Sequence, residues 1–193
     1  MNSEDYIKNL TSAIYSIDIN QIEKVCDIIE EVRKDGGLIL TAGNGGSSCI
    51  AQHLAEELTE VSSRDLDKNS LFYRSICLSD NSGLLTCIAN DEGYRNIFIQ
   101  QCWRYIDPVR KNCFIGFTTS GKSQNIIQVL IETDTKPIII FTGKNGVGIS
   151  KPNLIEIKVY SDITPIIEDC FQICVHLIWN ILKGRNTKND LKS

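Results

Sequence analysis

The sequence lacks the features that mark membrane, secreted and nucleic-acid-binding proteins. It contains no run of about 18 consecutive apolar residues, the length that a membrane-spanning helix needs. Its formal net charge of −4 argues against the basic surface that binds nucleic acids. The first residues are polar and acidic, unlike the start of a signal peptide. We therefore expect a cytoplasmic protein that binds neither a membrane nor nucleic acid.

The eight cysteines include no Cys-x-x-Cys pair. Cys170 and Cys174 are the one pair whose spacing would share a helix face. This pattern is weak support for a disulfide framework or a cysteine zinc site. We expect buried free thiols that pack as small hydrophobic side chains. Histidine is scarcer still, with His53 and His176 alone.

The sequence does contain a regular alternation of apolar runs and helical patterns. The apolar runs that indicate buried strands lie at 38–40, 75–80, 113–117, 137–141 and 154–160. Such strands, alternating with helices, indicate a parallel sheet that is covered on both faces. We therefore predict an α/β fold: a doubly wound parallel five-stranded sheet flanked by helices, with an N-terminal helical extension.

The predicted extension consists of two helices that precede the first strand. Residues 3–34 have apolar residues at helical spacing, with a break near Asp18. One small sheet cannot cover these helices fully, so we expect residues 1–35 to be used in oligomerisation. Residues 36–193 then form the ligand-binding domain, which is a plausible size for one domain.

Two loops that are rich in glycine and hydroxyl groups follow predicted strands. In the first, 43–48 (GNGGSS), glycines allow close backbone approach, and the following helix N-terminus attracts anions. The second, 118–123 (TTSGKS), offers four hydroxyl groups and a lysine. Either loop could instead be a strand-to-helix turn that binds nothing, with Ser120 or Ser123 as the N-cap in the second. The first loop matches neither the dinucleotide-binding fingerprint nor the nucleoside-triphosphate-binding loop. Two such loops at one edge of the sheet therefore favour a phosphorylated small molecule as the ligand.

Both histidines lie on predicted helices beside carboxylates. His53 and Glu57 are four residues apart and share a helix face. On the last predicted helix, His176 follows Gln172 by one turn and Glu168 by two turns. Imidazole and carboxylate groups could hold a zinc ion or serve as a general acid and base. A purely structural role is the alternative for each histidine.

Several of these motifs together resemble those of bacterial phosphoheptose isomerases, which have the sugar isomerase (SIS) fold. The glycine-rich loop 43–47 and the helical segment 52–59 (QHLAEELT) resemble the family signature. Residues 89–94 resemble its Asn-Asp-Tyr/Phe-Gly region, and 118–123 resembles its phosphate loop. The last helix, with 176–178 (HLI), resembles its metal-binding helix.

The resemblance implies an aldose–ketose isomerase that converts sedoheptulose 7-phosphate to D-glycero-D-manno-heptose 7-phosphate through a cis-enediolate, supplying heptose for lipopolysaccharide, capsule or glycoprotein. It implies one Zn²⁺ per subunit and a homo-oligomer, specifically a homotetramer with sites shared between subunits. Glu57 and His176 would be the catalytic acid–base pair. The implied zinc ligands are His53, Glu57, Glu168 and His176. The implied substrate-binding residues are Asn44, Gly45, Gly46, Ser47, Glu57, Asn90, Asp91, Thr118, Thr119, Ser120, Ser123 and Glu168.

The sequence departs from the family pattern at several positions. Glu168 stands where the family usually has glutamine, which makes Gln172 an alternative ligand. Val61 replaces an arginine, Pro165 replaces an aspartate, and the segment 60–74 is longer than usual. The main alternative function is that of a non-catalytic SIS protein of the replication-initiator-associating type. Such proteins typically lose the glutamate and the last-helix histidine that this chain retains. A third interpretation is an SIS isomerase of another sugar phosphate or a ligand-sensing regulator.

Overall fold

A computed structural model describes residues 1–65, 72–133 and 137–190 of the chain. The strands of the described part are β1 Leu38–Gly43, β2 Arg74–Cys77, β3 Cys113–Thr118, β4 Ile138–Gly143 and β5 Leu154–Val159. The α-helices are α1 Ser3–Tyr15, α2 Ile19–Lys34, α3 Gly46–Asp65, α4 Ser82–Glu92, α5 Ile99–Tyr105, α6 Gln124–Glu132 and α7 Thr164–Asp190.

The five strands form one parallel sheet in the order β2-β1-β3-β4-β5. At its centre, Leu40 pairs with Ile76 on one side and with Phe114 on the other. The predicted doubly wound sheet is therefore confirmed. The strand order reverses between β1 and β3, and ligands of such folds bind at the carboxyl ends of the strands that flank this point. The two glycine- and hydroxyl-rich loops follow these two strands.

Alternate residues of the strands pack into two separate cores, one on each face of the sheet. On one face, Phe117 and Phe141 stack with ring centroids 4.8 Å apart and pack with Phe171 of α7. This core also takes residues of α1, α2 and α3. On the other face, Leu40 and Phe114 pack against α4, α5 and α6.

The N-terminal helices are part of the first core. Ile22, Val25 and Ile29 of α2 are fully buried there. The Tyr6 hydroxyl on α1 donates to Asp169 Oδ2 on α7 at 2.5 Å, which ties the first helix to the last. The use of residues 1–35 in oligomerisation stays a prediction.

Several helix boundaries differ from the sequence-based expectation. Helix α3 continues beyond Glu60 because the buried Val61 extends its apolar face. Residues 66–71 of the predicted polar segment lie outside the described part of the chain. Helix α4 continues to Glu92, whose carbonyl accepts a hydrogen bond from Asn96 Nδ2 at 2.6 Å. A 3₁₀ turn and α5 then replace the single helix that was predicted over 94–106.

Helix α7 runs past Gly184, where an end was predicted. Arg185 pairs with Glu23 and Asp27 of α2 at 2.6 and 2.9 Å, which anchors these last turns. By length and composition alone, α7 could cross a membrane over Thr164–Asn186. However, 44% of the qualifying window is buried, and α7 packs against α1, α2 and α3. A core helix of a folded domain passes the same test, so this is weak evidence for a membrane span.

All eight cysteines are free. Six are buried, as expected, and burial raises the pKa of Cys26 and Cys170 to about 12 and about 11. Cys49 and Cys87 are exposed, which differs from the expectation of buried thiols throughout.

Candidate active site

The structure brings two histidines and one glutamate together between α3 and α7. His53 and Glu57 lie one turn apart on α3, and His53 Nε2 is 3.1 Å from Glu57 Oε1. His176 of α7 places its Nε2 3.2 Å from His53 Nε2 and 3.9 Å from Glu57 Oε1. The two helices pack directly against each other, so residues far apart in the sequence meet here. The cluster contains the predicted acid–base pair and three of the four predicted metal ligands.

The three side chains have the spacing that a tetrahedral metal ion requires. Their ligand atoms all lie within 4.8 Å of one another. Bonds of about 2.0–2.1 Å from zinc to nitrogen or oxygen would place tetrahedral ligand atoms about 3.3–3.4 Å apart, which the three observed distances bracket. In addition, Glu57 Oε2 is buried and has no hydrogen-bond partner in the described part of the chain. Because an unpartnered buried polar atom is costly, a cation or bound ligand would stabilise this carboxylate. The cluster therefore fits a divalent metal ion.

Glu57 is the most enclosed member of the cluster. Its side chain is 13% exposed, against 36% for His53 and 57% for His176. Burial raises the pKa of Glu57; the neighbouring His53 and His176 oppose this shift, while Glu56 and Glu60 reinforce it. A carboxylate whose pKa is closer to neutral is a better proton acceptor at neutral pH. The exposed imidazoles leave the cluster open to a ligand from solvent.

Helix α7 presents Gln172 to the cluster and Glu168 to the first loop. Gln172 Nε2 lies 3.2 Å from His176 Nε2. Glu168 Oε1 instead accepts a hydrogen bond from Ser47 Oγ at 3.0 Å. A Cβ added to Gly46 would lie 2.5 Å from Glu168 Oε2, so a larger residue there would displace this carboxylate. Glu168 thus supports the first loop, and its predicted metal role stays a prediction.

Asn44 links the first loop to the start of α6. Its Nδ2 donates to Asn125 Oδ1 at 2.9 Å, and its Oδ1 accepts from Asn125 Nδ2 and the Tyr94 hydroxyl, both at 2.8 Å. Sequence reasoning did not single out Asn125, which is 2% exposed. The available signal was an amide side chain directly before the apolar residues of a predicted helix. Substrate binding by Asn44 and the adjacent, exposed Gly45 stays a prediction.

The second loop forms the turn from β3 into α6. The buried Thr118 places its Oγ1 2.9 Å from Oγ of Ser123, which occupies the N-cap position. The Ser123 side chain makes no capping hydrogen bond, and Ser120 Oγ accepts from the Lys122 backbone N–H at 3.1 Å. Neither serine therefore caps α6 with its side chain. With the partly exposed Thr119 beside them, these hydroxyl groups lie at a helix N-terminus, a favourable setting for an anion.

Asn90 and Asp91 are exposed in the last turn of α4. Asn90 Nδ2 donates to Asp91 Oδ1 at 2.8 Å, and within the described part neither bonds to another predicted site residue. The neighbouring Tyr94 does reach the site, through Asn44. Their substrate-binding role stays a prediction.

Two departures from the family pattern have plain structural settings. Val61 is 2% exposed and packs in the core, so this position presents no charge to the site. Pro165 is exposed in the first turn of α7, where proline is well tolerated.

Comparison with known proteins identifies the family and agrees with the fold. The family described as SIS domain matches residues 4–141. The chain is 34% identical over 200 residues to the phosphoheptose isomerase of Aneurinibacillus thermoaerophilus, covering 98% of both chains. It is 38% identical over 145 residues to that of Tolumonas auensis, covering 73% of this chain and 71% of that protein. A solved phosphoheptose isomerase structure from Francisella tularensis has the same fold, with a TM-score of 0.81, 24% identity and 94% coverage of each chain. The chain therefore belongs to the phosphoheptose isomerase family of SIS-domain proteins.

Proposed function

We propose that the protein is an aldose–ketose isomerase that converts sedoheptulose 7-phosphate to D-glycero-D-manno-heptose 7-phosphate for heptose precursor biosynthesis. The observation that carries this proposal is the convergence of Glu57 and His176, from two different helices, on one open cluster. Family membership and the names of the relatives support the substrate class.

The rise of α3 from the first loop to the cluster is comparable to the length of the proposed substrate. Gly46 begins α3, and His53 lies seven residues further along, which is about 10 Å at 1.5 Å per residue. An extended seven-carbon chain that ends in a phosphate ester is also roughly 10 Å long, given bonds of about 1.5 Å. A phosphate group at the loops would then place the carbonyl end of the sugar near the cluster.

In this mechanism Glu57 moves the carbon-bound proton. Its carboxylate takes a proton from carbon 1 of the ketose, which leaves a cis-enediolate, and returns it to carbon 2 to give the aldose. His176 transfers the oxygen-bound proton, donating to oxygen 2 and accepting from oxygen 1. The hydroxyl groups of loop 118–123 hold the phosphate, so binding energy far from the reacting carbons positions them.

We further propose that His53, Glu57 and His176 hold one zinc ion per subunit, with Gln172 or Glu168 as the fourth ligand. The His/Glu/His spacing and the unpartnered Glu57 oxygen support this assignment. The chemistry that zinc supplies when bound is Lewis-acid polarisation of a carbonyl oxygen.

The remaining parts of the proposal concern assembly and location. The large exposure of His176 leaves room for a second subunit to cover the site, which supports a homotetramer with sites shared between subunits. The similarity to phosphoheptose isomerases, which are biosynthetic enzymes, supports a cytoplasmic location.

The test is to incubate the zinc-supplied protein with sedoheptulose 7-phosphate and follow the anomeric protons by NMR. We expect signals of an aldoheptose 7-phosphate and no reaction with unphosphorylated sedoheptulose. Fructose 6-phosphate serves as the specificity control, because turnover of it alone would assign the enzyme to another sugar phosphate. A folded, zinc-supplied protein that converts neither phosphate would contradict the isomerase assignment.

A further inference from the structure

A cavity of 220 Å³ lies beside the predicted phosphate loop. One wall comes from this loop, and the opposite wall comes from residues after β4 and from the connection between β5 and α7, to which the sequence analysis assigned no role. The lining residues are Thr119, Ser120, Lys122, Lys144, Asn145, Ser161, Asp162, Thr164 and Ile167.

The two walls are held together by backbone contacts. The Gly143 N–H donates to the Thr119 carbonyl at 3.1 Å, which joins the end of β4 to the phosphate loop. Gly121 has a φ of +67°, and a Cβ there would lie 2.0 Å from the Gly146 carbonyl oxygen. A side chain at position 121 would therefore separate the walls. The cavity is a built part of this edge of the sheet.

The phosphate loop contributes less positive charge to this cavity than would balance the charge of a phosphate monoester. A phosphate monoester carries between about −1.5 and −2 charges at neutral pH, whereas the loop contributes one cation, Lys122. Lys144 is the second cationic side chain among the lining residues, and it stands on the opposite wall. Its ammonium group forms an ion pair with Asp162, which lines the same wall. The cavity is thus lined by a lysine that pairs with a carboxylate.

We propose that Lys144 is a phosphate-binding residue of this enzyme, and that Asp162 pairs with its ammonium group when no phosphate is bound. An ammonium group has three donors, so Lys144 can bond to a phosphate oxygen and keep its contact with Asp162. The carboxylate competes with the phosphate for the same cation, so it lowers the affinity of Lys144 for phosphate. This proposal rests on the proposed function.

The test compares three variants with the wild-type protein: Lys144→Met, Asp162→Asn and Lys111→Met. Lys111 is the matched control, because it pairs with Glu31 at 3.0 Å on the surface and does not line the cavity. The first readout is the Kd of inorganic phosphate from calorimetric titration, and the second is the split between KM and kcat with sedoheptulose 7-phosphate. Salt is held constant.

We expect Lys144→Met to raise the Kd of phosphate and the KM about ten- to hundredfold, as the loss of a charge-assisted hydrogen bond would, with a smaller fall in kcat because phosphate binding also positions the reacting carbons. Asp162→Asn should lower the Kd several-fold, and Lys111→Met should leave it unchanged. Lys144→Arg, which keeps the charge, should retain most of the affinity.

Failure of this proposal is distinguishable from failure of the proposed function. Wild-type phosphate affinity in Lys144→Met, together with an active wild-type isomerase, would overturn the role of Lys144 and leave the isomerase intact. If the wild type does not act on sedoheptulose 7-phosphate, the phosphate titration still decides whether Lys144 binds phosphate. An equal rise of the phosphate Kd in Lys144→Met and Lys111→Met would also overturn the role of Lys144, since any surface lysine would then contribute to phosphate binding.

Discussion

Replacing Glu57 with glutamine removes the proton acceptor of the proposed reaction while it keeps the size of the side chain. Glu57 is 13% exposed, its Oε1 faces both histidines, and its Oε2 has no hydrogen-bond partner in the described part of the chain. Within that part, Glu56 Oε2 lies 3.6 Å from His53 Nδ1, on the side of the ring away from His176, and Glu57 is the carboxylate of the group that could hold a metal ion. We therefore expect that no neighbouring group takes over its role.

The expected loss follows from the two tasks of this carboxylate. General base catalysis contributes about 10²–10⁴-fold, and Glu57→Gln also removes a negatively charged metal ligand, so kcat should fall by about 10⁴-fold. Glu57→Asp is the matched variant, because it keeps the charge and withdraws the carboxylate by about one bond. A displacement of about 1 Å can cost about 10²-fold, so the aspartate variant should retain more activity than the glutamine variant.

The assay is the rate of aldoheptose 7-phosphate formation, measured beside the Kd of inorganic phosphate. Glu57 does not line the cavity beside the phosphate loop, so the phosphate Kd should be the same in both variants and the wild type. Unchanged phosphate binding would show that the variants are folded. A folded Glu57→Gln variant with kcat within about tenfold of the wild type would refute the catalytic assignment.

Three further predictions follow from the site and the core. A chelator should abolish activity, and added zinc should restore it. The His53→Ala variant should bind zinc more weakly in a metal-competition assay. Activity that changes neither with the chelator nor with added zinc would remove the metal from the mechanism. Activity should fall as the pH drops, because only ionised Glu57 accepts a proton and burial raises its pKa. Activity that stays constant down to the most acidic pH at which the protein remains folded would contradict the assignment. Tyr73→Phe should lower the free energy of unfolding, measured in urea, by about 1.5–3 kcal/mol. The reason is that the buried Tyr73 hydroxyl donates to the Glu30 carboxylate and accepts from Asn186 at 3.2 Å. A change below about 0.5 kcal/mol would show that these hydrogen bonds do not stabilise the fold.

The fold was predictable because its strands are buried on both faces. A strand such as β4 Ile138–Gly143 therefore appears as a continuous apolar run, and its alternation with helices indicates a parallel sheet. The helix ends were less predictable, because contacts distant in sequence decide them. Helix α7 continues beyond Gly184 because Arg185 pairs with two carboxylates of α2. The local sequence pattern does not predict that contact.

The site was predictable only in part, because it combines local spacing with contacts between residues that are distant in the sequence. The four-residue spacing of His53 and Glu57 fixes their common face locally, whereas their meeting with His176 depends on the packing of α7 against α3. Residues eight apart on a helix are about 12 Å apart along its axis, so Glu168 and His176 reach different parts of the site. Glu168 accordingly contacts Ser47, while Gln172 lies beside the cluster.

Asn125 and Lys144 show what the sequence could not provide. Asn125 looks like any polar residue at the start of a helix until the fold pairs it with Asn44. Lys144 follows β4, whose loop was given no role, and it joins the phosphate loop only through the tertiary arrangement of neighbouring strands.

The most direct test of the central claim, that Glu57 carries a proton between adjacent carbons, is to run the isomerisation in D₂O and follow carbon 2 of the aldose by NMR. The exposed face of the cluster allows the acidic proton on Glu57 to exchange with solvent before it is returned. We therefore predict deuterium at carbon 2 of the product and at carbon 1 of recovered sedoheptulose 7-phosphate, and neither label with Glu57→Gln. A product and a recovered ketose that contain no deuterium even after prolonged incubation at equilibrium would indicate direct hydride transfer and would contradict the account.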